Sequence, residues 1–350
     1  PPSPLAGYAP LLGVYGVSLL AGLSAAALAL VLTRWKTALG FLAALWLGGW
    51  GLQQVAWTKP VGKPVSVALL QGNIAQDMKF RPEQLDATLR QYARAVLASE
   101  AKLIVLPETA LPLFRSDIPP DFLDMLGVHA RGRGGDLLLG MPEDDGLDAD
   151  GLPRYYNSVI SLGSSREQQF RKVHLVPFGE FVPFGFRWAV NLMAIPLGDF
   201  SRGTADQPAL SVAGEKVAVN ICFEDVFGEE RIHAARDATL LVNVSNDAWF
   251  GNSWAPWQHL QIGAMRSLET GRWQLRANNT GITAIVDDKG RVQAQLTPFT
   301  SGRLRGIAQG RAGVTPYMRW GNAAFLILLL GLLIASRSQF LKSRLAVEPA

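Results

Sequence analysis

Cysteine is almost missing from this chain: Cys222 is the only one in 350 residues. A disulfide within the chain is therefore excluded, and the cysteine count does not identify the compartment. Four scattered histidines beside one cysteine make no metal site, and neither a metal nor a cofactor is expected. There is no phosphate-binding Gly loop and no Gly-x-Ser-x-Gly elbow. Charge is scarce as well. Lys, Arg, Asp and Glu make up 18% of residues, the net charge is only +4, and no basic block stands out, which argues against nucleic acid. The sequence has no internal repeat and no low-complexity segment. It opens on Pro1 in a Pro-rich stretch without an initiator methionine, which predicts the C-terminal part of a longer protein.

What is abundant is apolar surface, at 49% of residues, and the excess lies at the two ends. Residues 11–32 form an uncharged run long enough for a bilayer-spanning helix. A signal peptide is the competing reading. It is disfavoured because the positive charges, Arg34 and Lys36, come after the run. Residues 37–57 predict a second span, with Trp46, Trp50 and Trp57 as interfacial anchors and the polar pair Gln53-Gln54 near its end. Residues 320–336 predict a third, flanked by Trp320 and by Arg337, Lys342 and Arg344. A core helix competes there, because the apolar run is short. Arg34 and Lys36 in a short loop assign that loop and the C-terminal tail to the cytoplasm, and the region between to the outer side. Lys59, Lys63, Arg311 and Arg319 argue the other way, but they flank a long domain, where the rule is weak. The expected division is two membrane helices in 1–63, a catalytic domain in 64–310, and a C-terminal span with its tail in 311–350.

The middle reads as one α/β domain. Apolar strands are expected at 65–70, 103–106, 136–141, 155–162, 168–173, 216–222, 239–244, 273–277, 283–287 and 292–296. Helices are expected from Pro82, where Leu85, Leu89, Tyr92, Val96 and Leu97 share a face, and at 122–130, 229–235 and 257–270. Residues 143–151 read as an acidic hairpin or loop, and 184–206 as a long apolar connection. Strands that alternate with helices early and pair directly later predict layered sheets covered by helices.

Three residues with chemistry end apolar strands. Cys222 follows Val217, Val219 and Ile221, so its sulfur can face a pocket; a small buried apolar residue is the bland alternative. Glu108 follows residues 103–106 and Pro107. Lost hydration there would suit a general base, against the alternative of a strand-end charge in solvent. Lys172 closes a strand before the irregular His-Leu-Val-Pro-Phe-Gly-Glu-Phe-Val-Pro at 174–183. A lysine beside a thiol stabilises a thiolate and then an oxyanion; a surface lysine is the commoner case. Glu180 either orients Lys172 or caps the loop. The N–H of Phe223, next after the thiol, is a further oxyanion donor. Ser-Asn-Asp-Ala-Trp-Phe-Gly at 245–251 and Pro-Trp-Gln-His at 256–259 predict an aromatic loop before a helix, either a pocket wall for an apolar chain or simple loop packing. His259 is read as structural, since no Asp or Asn signature supports a Cys–His pair.

The order Pro-Glu108, Arg-Lys172, Ile-Cys222-Phe-Glu224 resembles the Glu-Lys-Cys triad of the nitrilase, or carbon–nitrogen hydrolase, superfamily. The longer motifs quoted above resemble the apolipoprotein N-acyltransferases of Gram-negative bacteria, over nearly the whole chain. The resemblance implies an αββα sandwich flanked by transmembrane helices, multi-pass in the inner membrane, with the catalytic domain in the periplasm. It implies Cys222 as nucleophile, Glu108 as base and Lys172 as oxyanion stabiliser, with Glu180 and Glu224 in support. It further implies acyl transfer from a phospholipid through a Cys thioester to the N-terminal amine of a diacylglyceryl-cysteine lipoprotein, by a monomer. The apolar connection at Phe184, Phe186, Trp188, Leu192, Met193, Ile195 and Phe200 is then a candidate lid, or an extra packed segment. Trp249 and Trp257 become candidate substrate contacts. Phe223 and Phe80 depart from the family's usual Tyr and Trp, which keeps a ring and loses a polar handle. The family has eight spans against three here, so the missing helices would precede Pro1. The alternatives are a membrane-tethered amidase or nitrilase and a non-catalytic lipoprotein-binding subunit.

Overall fold

The computed structural model describes residues 3–76, 78–79, 81–147, 151, 153–183, 185 and 200–345. In chain order the elements are α1 (Ala9–Ala29), α2 (Val31–Leu52), β1 (Lys59–Pro60), β2 (Val65–Gln71), α3 (Pro82–Leu97), β3 (Leu103–Val105), α4 (Pro120–Gly132), β4 (Asp136–Leu147), β5 (Pro153–Gly163), β6 (Gln169–Arg171) and β7 (Leu210–Val212). There follow β8 (Glu215–Ile221), α5 (Gly228–Asp237), β9 (Leu240–Ser245), α6 (Ala255–Thr270), β10 (Trp273–Asn278), β11 (Ala284–Val286), β12 (Val292–Gln295), β13 (Gly302–Ala308), β14 (Arg311–Ala312), α7 (Pro316–Trp320) and α8 (Ala323–Leu345).

Two six-stranded sheets stack face to face. The first has the order β13-β2-β3-β4-β5-β6, the second β12-β11-β10-β9-β8-β7. Strands β2, β3 and β4 run parallel, as do β8, β9 and β10; the outer neighbours are antiparallel. Side chains of period two decide the layers. Val65, Val67 and Leu69 point inward and meet Val217, Val219, Ile221, Val242 and Val244 of the opposite sheet. Their alternates Ala68 and Leu70 point outward against Tyr92 and Val96 of α3 and Leu126 of α4. Ala218 and Leu241 do the same against Ile232 and Ala235 of α5. Because these central strands are covered on both faces, they read as continuous apolar runs rather than as alternation. The result is four layers, helix–sheet–sheet–helix, the sandwich expected from the sequence.

Several boundaries differ from expectation. The acidic stretch after Met141 takes the hairpin form of the two expected: β4 continues to Leu147 and pairs with β5 as far as Leu147–Pro153. Strands β7 and β13, not expected, close the two sheets as edges. Leu97, placed on the buried face of α3, is 40% exposed, because that helix is ending there. Of the long connection, Phe184, Phe186, Trp188, Leu192, Met193 and Ile195 lie outside the described residues, as does Phe80; Phe200 is half-buried and bridges to Tyr155.

All three apolar segments are helices, but not with the expected ends. The first two stop at Ala29 and Leu52 rather than at 32 and 57, and the last continues to Leu345. Among the described residues one helix, Pro4–Ala29, is long and apolar enough to cross a membrane by length and composition; Ala323–Ser338 is a shorter apolar stretch. Leu28, Leu32, Phe41, Trp50, Ile327 and Leu333 stand exposed on these three helices. The first helix is broken at Gly13, whose φ of +66° belongs to glycine and where a Cβ would run into the Tyr317 ring. The break frees the amide of Val14, which donates to Glu269 Oε1 at 2.7 Å. Glu269 sits fully buried at the end of α6, and burial pushes its carboxyl up to about 7 despite the nearby Arg266.

Candidate active site

The site lies where the parallel strands of both sheets end, the usual place for a cleft in such sheets. Glu108 follows β3 by way of Pro107. The turn is tight: a Cβ at Gly140 of the adjacent strand would collide with the Pro107 carbonyl oxygen. Lys172 lies one residue beyond β6 and is 1% exposed. Cys222 follows β8 directly and opens a 3-10 turn, Cys222–Val226, with a φ of +53°. Residues with side chains rarely adopt that left-handed region, so the turn is held by its surroundings.

The three groups do converge. Lys172 Nζ lies 3.2 Å from Glu108 Oε1 and 2.8 Å from Glu180 Oε1. Asn157 Nδ2 donates to the same two oxygens, at 2.7 and 2.8 Å, and locks the carboxylates around the ammonium. Among the described residues, these donors to the Glu108 side chain all reach Oε1 and none reaches Oε2. Glu180 also accepts from the amide of Val176 at 2.9 Å, so it both orients Lys172 and caps the loop. Glu224 is wholly buried and joins the halves of the site. Its Oε1 accepts from the amides of Val173 and His174, just after Lys172, and its Oε2 from the amide of Ile221, just before Cys222. One carboxylate thus fixes the lysine's loop against the cysteine's strand.

Burial alone would lower the Lys172 ammonium, but Glu108, Glu180 and Cys222 together outweigh it and hold it raised. Cys222 keeps some exposed surface, yet burial pushes its thiol well above the ordinary value. Glu108, Asp247 and Glu180 add to that rise, and Lys172 opposes it. The thiol is therefore held toward its neutral form, with the Glu108 carboxylate paired to Lys172 beside it.

Other expected residues fall differently. Phe223 is packed edge-on against Phe227 and near His174, a ring cluster beside Cys222. Trp249, in the 3-10 turn Asp247–Phe250, is 70% exposed, and Trp257, in the first turn of α6, is 45% exposed. His259 does not approach the sulfur through any hydrogen bond; its contact is with the Cys222 carbonyl. The sequence reading missed Asn157, a lone amide inside an apolar strand, which is a usable signal. It also missed Lys79. That lysine is buried, donates to the Glu108 carbonyl at 3.1 Å, and is lowered to about 8 by burial against the pull of Glu108 and Cys222. Nothing in its local sequence marks it. A cavity of about 500 Å³ lies at the other end of the second sheet, between the helix ends at Gly7 and Leu52 and the turn at Lys289 and Arg291; it contains none of these residues. Among the described residues no cluster of His, Cys, Asp or Glu is arranged to hold a metal ion.

The chain belongs to the carbon–nitrogen hydrolase family: the family model of that description, carbon-nitrogen hydrolase, matches residues 66–310. Solved structures agree on the fold. Nit3 of Saccharomyces cerevisiae, a member of branch 10 of the nitrilase superfamily, superposes with a TM-score of 0.52 at 18% identity, over 72% of this chain and 92% of that one. A mutant amidase of the same superfamily from Nesterenkonia AN1 gives 0.50 at 18% identity, over 77% and 98%. Within that class the chain belongs to the apolipoprotein N-acyltransferase family. The protein of that name from Nitrosomonas europaea is 55% identical over 97% of this chain and 68% of its own length. The one from Chromobacterium violaceum is 49% identical over 96% and 66%. The chain thus spans about two thirds of the length of these relatives.

Proposed function

We propose that this chain is the catalytic part of a membrane-bound apolipoprotein N-acyltransferase, and that Cys222, Glu108 and Lys172 carry its chemistry. The observation that carries the reading is the Lys172 ammonium, buried between Glu108 and Glu180 and tied through Glu224 to the turn of Cys222. The donor is a phospholipid and the acceptor a diacylglyceryl-cysteine lipoprotein. The protein acts as a monomer in the bacterial inner membrane, with helices in 1–63 and 311–350 anchoring a periplasmic domain of residues 64–310.

In the first half-reaction Glu108 takes the thiol proton as Cys222 Sγ attacks the ester carbonyl of the phospholipid. The negative charge that forms on the carbonyl oxygen is met by Lys172 Nζ and the Phe223 amide. The C–O bond then breaks, and protonated Glu108 returns its proton to the leaving lysophospholipid alkoxide. A thioester remains on Cys222. In the second half-reaction the lipoprotein amine attacks that thioester, Glu108 accepts the amine's proton, and the C–S bond breaks to give the amide. The sulfur leaves as a thiolate and is reprotonated from Glu108. Because the resting thiol is neutral, the base must act within the transition state, which fits a carboxylate held against Lys172 rather than free in water. Glu180 keeps Lys172 in place, and the exposed rings of Trp249 and Trp257 meet the acyl chains.

Incubation with labelled phospholipid tests the reading. A hydroxylamine-sensitive acyl adduct is expected, and it should vanish in Cys222→Ser. An adduct that survives the substitution, hydrolysis of small amides without acyl transfer, or lipopeptide binding without turnover would each overturn it.

A further inference from the structure

Behind the nucleophile lies a second set of charges that the acyl-transfer steps do not use. His259, in the first turns of α6, has Nδ1 2.9 Å from Asp247 Oδ1 and Nε2 3.0 Å from Asp225 Oδ1. Both partners are acceptors, so both ring nitrogens carry protons and the ring is an imidazolium. Arg276, from β10, pairs with the other oxygen of Asp225, and Asn278 Nδ2 donates to the other oxygen of Asp247 at 2.7 Å. Burial alone would discharge His259, and Arg276 works in the same direction. Asp225 and the two hydrogen bonds prevail and raise it to about 9.

Two links connect this cluster to Cys222. First, His259 Nε2 also lies 3.3 Å from the Cys222 carbonyl oxygen, which accepts from Asn243 Nδ2 at 3.1 Å as well. These donors grip the residue whose backbone is left-handed. Second, the Asp247 carboxylate acts on the Cys222 thiol and opposes its ionisation. A charged ring against Asp247 cancels that opposition. His259 is not a proton acceptor for the sulfur, since both of its nitrogens are committed and both carry hydrogen.

We propose that His259 is a positioning residue for the nucleophile: its imidazolium holds the Cys222 carbonyl, and with it the left-handed turn that presents the sulfur, and it neutralises the Asp247 carboxylate behind the thiol. The inference rests on Cys222 being the nucleophile, and the experiment separates the two. The chain has a single cysteine, so alkylation by iodoacetamide reports on Cys222 alone.

In the full chain held in detergent, His259→Gln should slow alkylation near neutral pH by about 10-fold and move its pH profile upward, because the thiolate fraction falls. Thioester formation from labelled phospholipid should lose about 100-fold in kcat with KM nearly unchanged, as expected for a misplaced reacting atom. Adding Asp247→Asn to that variant should recover part of the alkylation rate. His259→Lys, which keeps the charge, should hold the alkylation profile close to the wild type. In the unaltered protein, nitrogen-15 shifts of the His259 ring should be those of an imidazolium at neutral pH. A folded His259→Gln with wild-type alkylation and kcat overturns the proposal. So does a neutral ring in the unaltered protein, a result that needs no variant. Survival of the acyl adduct in Cys222→Ser would instead remove the nucleophile, and leaves the ring and alkylation results to judge His259 separately.

Discussion

Two buried clusters of charge flank Cys222, and they differ in balance. In front, two carboxylates, Glu108 and Glu180, hold the Lys172 ammonium, and a second buried lysine, Lys79, donates to the Glu108 carbonyl. Behind, two carboxylates, Asp225 and Asp247, face an imidazolium and a guanidinium, His259 and Arg276. The front cluster can change its charge near neutral pH, because burial lowers Lys79 to about 8. The rear cluster is matched charge for charge, so a proton gained or lost there would leave a buried charge unpaired. Chemistry belongs to the side whose charge can change and rigidity to the fixed one.

The sharpest test of that division is Glu108→Gln. It should cut thioester formation by about a thousandfold or more, since groups that act as a unit fail together, while the melting temperature moves little. A variant still within tenfold of wild type would deny the front cluster its role as base. Asp225→Asn should do the reverse damage. Breaking a buried pair leaves Arg276 and His259 uncompensated, at a cost of about 3–5 kcal/mol in denaturant unfolding. A loss near zero would mean that the rear cluster is no scaffold.

The pH dependence of stability should carry opposite signs on the two sides. His259 is raised in the folded protein to about 9, above its ordinary value, so the folded state binds more protons in between. Its stabilising contribution, on the order of 3 kcal/mol, is complete below about pH 6.5 and fades as pH rises through 9. Lys79 is lowered to about 8, so here the unfolded state binds more protons, and stability rises from about pH 8 to 10.5 by a similar order. Melting curves of wild type minus His259→Gln should therefore fall with pH, and those of wild type minus Lys79→Met should rise. Equal slopes would erase the contrast. Smallest of all, Trp249→Ser should change stability by less than about 0.5 kcal/mol, as its ring is exposed, yet raise KM for phospholipid. An unchanged KM would leave that ring outside the lipid path.

Much of this molecule is legible in its sequence, for a physical reason. Strands buried on both faces announce themselves as unbroken apolar runs, and Cys222 and Glu108 follow such runs while Lys172 follows a short strand. Edge strands announce themselves unevenly: β6 and β12 are expected from the sequence, β7 and β13 are not. Strand β13, Gly-Arg-Leu-Arg-Gly-Ile-Ala, alternates charge and small residues because one face meets solvent. The outer half of β4 carries Glu143, Asp144 and Asp145, so its composition fits hairpin and loop alike, and only the backbone pairing with β5 decides for the hairpin. In the site, the sequence points to groups that end strands but not to those that three-dimensional convergence supplies. Lys79, Asp225 and Asp247 stand in turns whose neighbours in space are far away along the chain.

Helix α6 has His259 near its start and Glu269 near its end, 16 residues in all, or about 24 Å of stiff rod. The far end of that rod grasps the main chain of α1 at its break, through the Val14 amide. A tilt of the first helix within lipid would therefore act as a crank on the residue behind the sulfur. Turnover measured in bilayers of graded thickness should vary with thickness, and Gly13→Ala, which drives a methyl against the Tyr317 ring and strains the joint, should alter that variation; a rate indifferent to thickness would disconnect the crank.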